Sequence, residues 1–162
     1  MRAIPVLRPA QPEDVEFLFR VYASTREDEL IATGWSADQQ RSFLLMQFNA
    51  QDRHYRSQFP QAQFYVIEVQ GTPVGRLYLD RAERETRILD ISLLPAFRNQ
   101  GIGTMLLNDI MMQAARDAST VVIHVERHNL AMKLYSRLGF VPAGESAMYL
   151  RMVCSPGQEK IA

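Results

Sequence analysis

The sequence predicts a single α/β domain built on one mixed, mainly antiparallel sheet of roughly six or seven strands flanked by about four helices. Three stretches point to it. Residues 88–113, ILDISLLPAFRNQGIGTMLLNDIMMQ, read as an apolar strand stopped at Pro95, a polar loop with two glycines, and an amphipathic helix with Met105, Leu106, Ile110 and Met111 at helical spacing. Residues 63–79 read as two strands joined at a Gln70-Gly71 turn. Residues 120–152 run strand, short helix, strand, strand.

Taken in order, residues 3–8 form a first strand, and Pro5 confines it to an edge because proline has no N–H to give a second neighbour. Gln11-Pro12-Glu13-Asp14 opens a helix: proline fits the first turn and the acidic pair fits the positive end of the dipole. Its buried stripe is Val15, Leu18, Phe19 and Tyr22. Residues 31–35 form a loop presenting the Trp35 indole, and residues 36–39 start a helix whose aromatic-rich face holds Phe43, Leu44, Met46, Gln47, Phe48 and Tyr55. Burial preference assigns Phe43, Met46 and Phe48 to the core. Trp35 and Tyr55 each carry a polar group that needs a partner and are the candidate substrate contacts. Arg53, His54 and Arg56 are a solvated face, and residues 80–87, of alternating charge, are an exposed loop without chemistry. After the strand at 120–125 come a polar loop and a helix at 130–138 ended by Gly139. Phe140 and Val141 begin another strand, and residues 147–152 close the sheet. Residues 1–154 make the domain and 155–162 a polar tail.

The composition, 47% hydrophobic and 22% charged over 162 residues, is that of one globular core. A net charge of zero gives no general attraction to nucleic acid or to anionic membrane, so any anion recognition has to be local. The one cysteine, Cys154, excludes an internal disulfide and a Cys-rich zinc site and reads as a passive thiol. The three histidines, His54, His124 and His128, form no H-E-x-x-H motif, and no metal is predicted. The N-terminus lacks the apolar core of a signal peptide and no apolar run reaches membrane-spanning length, so the expected location is cytoplasmic.

Glycines at a helix entrance leave the first N–H groups bare, and with the dipole these make an anion site suited to phosphate. The P-loop signature G-x-x-x-x-G-K-[ST] is absent, and the dinucleotide signature would need a third glycine where Leu106 stands. The remaining pattern, Arg98-x-x-Gly101-x-Gly103, resembles the acyl-CoA pyrophosphate loop of the GNAT superfamily of N-acetyltransferases. A second block, residues 124–140 (HVERHNLAMKLYSRLGF), is similar to the stretch in which that family sets an Asn against the cofactor and a helix Tyr near the thiolate.

The resemblance implies the GNAT fold and acetyl-CoA as co-substrate, with no metal. It implies that the fourth and fifth strands splay apart, that Ile91, Ser92 and Leu93 run along the pantetheine arm, and that the Leu93 N–H meets the thioester oxygen. Arg98 would head the loop, with Asn99, Gln100, Gly101, Ile102, Gly103 and Thr104 around the pyrophosphate. The family places Asn seven residues before Tyr; here Asn129 is six before Tyr135 and His128 holds the seventh place. Either the turn is one residue shorter or His128 substitutes. Tyr135 is the candidate general acid, since a phenol with a usual pKa of about 10 can return a proton to a thiolate. For the base three residues stay open: His124, turned by strand alternation away from Ile123 and Val125; Asp90, which shares its strand parity with Ser92; and Glu126.

The implied reaction is acetyl transfer to a primary amine on a small molecule, a peptide N-terminus or a lysine. Nucleic acid and membrane are not expected partners. Two other classes remain compatible with the sequence: a non-catalytic acyl-CoA sensor, and an interaction domain, for instance a homodimer docking through Trp35 and the helix face at 43–55.

Overall fold

A computed structural model of the chain describes residues 3–126, 129, 131–146 and 149–156. Among the described residues seven strands form one sheet in the order β1-β2-β3-β4-β5-β7-β6. Strands β1 (Pro5–Pro9), β2 (Gln63–Val69), β3 (Thr72–Arg81) and β4 (Glu85–Leu93) form an antiparallel run. Strands β5 (Thr120–Glu126), β7 (Tyr149–Cys154) and β6 (Val141–Glu145) form a second. The two runs meet where β4 and β5 pair in parallel, and a parallel pair needs a crossover, which α4 (Ile102–Arg116) supplies.

Local chemistry explains most elements. β1 lies at the sheet edge, as its prolines require. Gln70 (φ 51°) and Gly71 (φ 78°) are both left-handed, as a two-residue hairpin turn demands. In α3 (Ala37–Gln58) the Ser36 hydroxyl accepts the Gln39 N–H while the Gln39 side chain accepts the Ser36 N–H. Such a reciprocal cap is worth about 1 kcal/mol. α5 (Met132–Arg137) ends before Gly139, whose φ is 102°.

The helices cover both faces of the sheet. On one, Ile102, Leu106, Leu107, Ile110 and Ala114 of α4, with Tyr135 of α5, pack on Leu77, Leu79, Ile88, Ile123 and Val125. On the other, α1 (Val15–Ser24) and α3 pack Leu18, Phe19, Tyr22, Leu44 and Phe48 against Val66 and Tyr78.

Three expectations are corrected. Val15 is 53% exposed at the very start of α1, just after a 3-10 turn at Pro12–Asp14, and Val21 is buried beside the expected Leu18, Phe19 and Tyr22. Met46 is 60% exposed on the outer side of α3, so only Leu44 and Phe48 of that run are fully buried. The charged stretch at 80–87 is a loop only at 82–84: Asp80 and Arg81 finish β3, and Glu85 to Arg87 begin β4. Asp80 and Arg87 are cross-strand partners joined by an ion pair of 2.8 Å, so alternating charge here marks the paired strand ends as well as the turn between them. A fifth helix, α2 (Glu27–Ile31), is too short to leave a periodic signal in sequence. Ala147 and Met148, expected in the last strand, lie outside the described residues. Among the described residues no helix is long and apolar enough to cross a membrane.

Candidate active site

The candidate site is the place where β4 and β5 part. Their pairing runs from Glu85 opposite Thr120 to Ile88 opposite Ile123 and stops, although β4 continues to Leu93 and β5 to Glu126. The cause is local. Tyr78 of β3 faces Asp90 while Leu79 faces Ile88, so Leu89 is an extra residue in β4. A bulge bends its strand, and this one falls immediately after the last residue of β4 that pairs with β5.

Beyond the bulge one edge of β4 stays bound to β3. The Leu94 N–H donates to the Val74 carbonyl at 2.9 Å, and Gly75 faces Leu93. Hydrogen-bonding direction alternates along a strand, so the Leu93 N–H points the other way, into the gap, as does that of Ile91. The approach of β3 is close: a Cβ on Gly75 would lie 2.3 Å from the Ser92 carbonyl oxygen and 2.8 Å from Leu93 Cδ2. Only glycine fits there.

At the end of the gap the chain turns through the Pro95–Phe97 3-10 turn into α4. Asn99 (φ 62°) and Gly101 (φ 85°) are left-handed, and Gly101 stands at the N-cap of α4 with no side chain capping the first turn. The helix amides there are bare, and a Cβ on Gly103 would meet nothing within 4 Å, so an open cradle surrounds them. This chemistry fits a phosphate ester. Ile102 is buried beneath the loop, Thr104 is half-buried in the first turn, and the Gln100 amide donates to the Ala96 carbonyl at 2.9 Å. Arg98 is exposed and tethered from below: Nε donates to the Leu93 carbonyl at 2.9 Å and Nη2 to the Ser24 hydroxyl at 3.3 Å.

Tyr135 rises from α5 into the apolar cluster that holds Val125, Ile91 and Leu93, the residues flanking the gap. It is buried, edge-on to Phe140 at 5.9 Å. Burial, with the nearby negative charge of Asp90 second, pushes its phenol up to about 12. It therefore stays protonated at neutral pH.

Asp90 and Ser92 occupy the opposite face. Ser92 Oγ donates to the Asp90 carboxylate at 3.1 Å, and Asp90 Oδ2 accepts from Arg76 Nε at 2.5 Å. Arg76 is buried, as are Tyr78 beside it and Tyr22 of α1, whose ring faces the guanidinium. Sequence reasoning missed Arg76; its signal is one cation on the Tyr78 side of an otherwise apolar strand, PVGRLYL.

The other sequence-predicted residues are placed as follows. His124 is exposed on β5, its pKa lowered first by partial burial and then by Arg151; Glu85 opposes this and Arg87 adds to it. Its charged neighbours are thus those three, whereas Asp90 acts on Tyr135. Glu126 is engaged by Arg26 at 3.1 Å. Asn129 is exposed and its Oδ1 accepts the Ala131 N–H at 2.8 Å, which ties that oxygen to the start of α5. His128 lies outside the described residues. Tyr55, in the last turn of α3, donates to the Leu89 carbonyl at 3.0 Å. Trp35 precedes the other end of that helix, edge-on to Phe43 at 5.1 Å in a shallow depression. At 1.5 Å per residue roughly 30 Å of helix separates them, so they do not share a pocket. Among the described residues no group of three His, Cys, Asp or Glu side chains could hold a metal.

Comparison with known proteins agrees with this architecture. Residues 60–142 match the family model described as an acetyltransferase (GNAT) domain. A curated relative, an uncharacterized N-acetyltransferase of Methanocaldococcus jannaschii, is 34% identical over 100 residues, 56% of this chain. The match spans 44% of that relative, less than half its length. The PaiA N-acetyltransferase of Thermoplasma acidophilum, solved in complex with coenzyme A, superposes with a TM-score of 0.71 at 19% identity, covering 93% of this chain and 98% of that one. A GCN5-related N-acetyltransferase structure from Rhodopseudomonas palustris gives 0.66 at 21% identity, covering 96% and 98%. At such identities the two structures speak for the fold.

Proposed function

Because the chain belongs to the GNAT family of acetyltransferases, we propose that it transfers the acetyl group of acetyl-CoA to a primary amine by direct attack. The acceptor is a small amine or the amino group of a peptide. The observation that carries this reading is the termination of β4–β5 pairing at Ile88 and Ile123, with a bare glycine-led helix start at one end of the gap and Tyr135 beside it. The coenzyme A in the Thermoplasma acidophilum structure supports the choice of donor.

Bound acetyl-CoA supplies the thioester carbonyl that the amine attacks and the thiol that leaves. The α4 amides from Ile102 onward, led by Gly101, hold the pyrophosphate, with Asn99, Gln100, Gly103 and Thr104 around it and Arg98, held by the Leu93 carbonyl and the Ser24 hydroxyl, at the head of the loop. Asn129 contacts the donor through its amide nitrogen, its oxygen being engaged by the Ala131 N–H. Ile91, Ser92 and Leu93 line the pantetheine arm, and the Leu93 N–H takes the charge that develops on the carbonyl oxygen as the C–N bond forms. Tyr135 gives its proton to the sulfur as the C–S bond breaks. Asp90 receives the acceptor's amino group and, directly or through water, its proton. It is preferred to His124 and Glu126 because its charge already acts on Tyr135, whereas His124 answers to Arg151 and Glu126 to Arg26.

Calorimetric titration with acetyl-CoA, controlled by dephospho-CoA and NADH, tests the donor half. A thiol-release assay over small amines and short peptides tests the acceptor half. Saturable binding of acetyl-CoA followed by amine-dependent thiol release is expected; no binding would overturn the reading.

A further inference from the structure

Resting on that reading, we infer that Arg76 is the positioning residue of the acceptor subsite: it holds the Asp90 carboxylate by one oxygen and cancels its charge, leaving the other oxygen to take the acceptor's amino group. Arg76 is 1% exposed, and three side chains orient its guanidinium. Nε donates to Asp90 Oδ2, Nη2 to Gln51 Oε1 of α3 at 2.8 Å, and Nη1 to the Tyr78 hydroxyl at 3.4 Å. The ring faces of Tyr22 and Tyr78 lie 5.5 and 4.7 Å from it. Asp90 differs. Its side chain is 23% exposed, and among the described residues Oδ1 accepts only from the Ser92 hydroxyl. One oxygen is held by the buried guanidinium, and the other belongs to a partly exposed side chain and meets only a hydroxyl among the described residues.

A buried ion pair is a poor device for stability, since its desolvation cost rivals its attraction and apolar replacements are often as stable. Chemistry supplies the reason for this one. An amine attacks only after its ammonium form sheds a proton, and a lone carboxylate would stabilise the ammonium and keep that proton on. With the guanidinium seated on Oδ2 the subsite has no net charge, so Oδ1 can orient the amine by a hydrogen bond without trapping the cation. The titratable groups around the pair are Asp52 and Tyr55 of α3, Tyr78 of β3 and Tyr135 of α5, with Tyr22 of α1 against the guanidinium. Asp52 is itself paired with Arg56 at 3.0 Å, and burial keeps Tyr55, Tyr78 and Tyr135 protonated, so Arg76 is the cation that balances Asp90.

The test is steady-state acetylation of n-butylamine by the full chain, with acetyl-CoA affinity measured in parallel. In Arg76→Met the KM for n-butylamine should fall several-fold while kcat also falls, and the acid limb of kcat should move up by about one pH unit as the bound ammonium becomes harder to deprotonate. Arg76→Lys, which keeps the charge, should restore the acid limb. In both, acetyl-CoA affinity should stay within about twofold. Where Arg76→Met fails to fold, the double variant Arg76→Met with Asp90→Asn, which buries no charge, should fold, bind acetyl-CoA and show a KM for n-butylamine raised about tenfold. An unmoved acid limb in Arg76→Met, or an unmoved KM in the double variant, overturns the assignment while leaving the acetyltransferase reading intact. A parent chain that binds acetyl-CoA yet releases no thiol with n-butylamine also overturns it, because a subsite that reads only an amino group admits the smallest unbranched amines. Loss of acetyl-CoA binding by the parent would instead overturn the donor reading.

Discussion

The Tyr55 hydroxyl donates to the carbonyl of Leu89 at 3.0 Å, so the end of α3 is pinned to the one residue at which β4 slips against β3. A bulge leaves its extra residue out of the ladder, and a buried carbonyl without a partner is costly. Tyr55 therefore supports the bend that opens the gap, whether or not it touches substrate. Tyr55→Phe should destabilise the fold by about 1–2 kcal/mol in denaturant titration with the m-value unchanged. A loss below about 0.3 kcal/mol would remove this role from the pair.

Tyr135→Phe removes one oxygen from an otherwise apolar environment, and the ring can keep its contact with Phe140. Turnover should fall by about two orders of magnitude while the KM for acetyl-CoA changes less than about twofold. Equal losses in rate and in thermal stability would make the tyrosine a packing residue.

Gly101→Glu places a side chain and a negative charge at the N-cap of α4 and forces a left-handed backbone on a residue that resists it. Acetyl-CoA affinity should drop at least about a hundredfold, with a stability cost of about 1–2 kcal/mol. Retained affinity in calorimetry would exclude this loop as the phosphate site.

Alkaline pH should weaken the fold. In the unfolded chain each tyrosine ionises near pH 10. Burial holds Tyr55, Tyr78 and Tyr135 above that, Tyr135 at about 12, with Asp90 adding to the shift in each. The contribution is whole below pH 10; above it the unfolded state binds fewer protons than the folded one, so stability falls by about 1.4 kcal/mol per pH unit for each of the three. Denaturant midpoints at pH 9 and pH 11 measure the slope, and Tyr78→Phe should reduce it by about a third. A flat profile would mean that these hydroxyls are solvated.

The donor half of the site was legible because it is made by contiguous residues. Gly101 before an amphipathic helix announces a bare N-terminus, and Gln70-Gly71 between two strands announces a hairpin, each within a few positions. The acceptor half was not, because its meaning depends on residues far apart. Nothing near Arg76 says that Asp90 of the next strand and Gln51 of a helix will close around it. Tyr55 showed its need for a partner, but the partner is a main-chain carbonyl, which carries no sequence signal. Asp80 and Arg87 misled for the same reason: their pairing across β3 and β4 makes a strand end of what composition reads as a loop.

The seam between β4 and β5 is only four residue pairs long, from Glu85 with Thr120 to Ile88 with Ile123, while the strands on either side are joined by longer antiparallel ladders. Mechanically, so short a seam would let the sheet behave as two plates on a hinge, strapped on one face by α4. Slow swinging of the plates would widen or narrow the slot between them without breaking either ladder. A rod-shaped molecule lying in that slot would act as a splint, and its arrival should be felt as stiffness as far away as β1 and β6, the outer edges of the two plates.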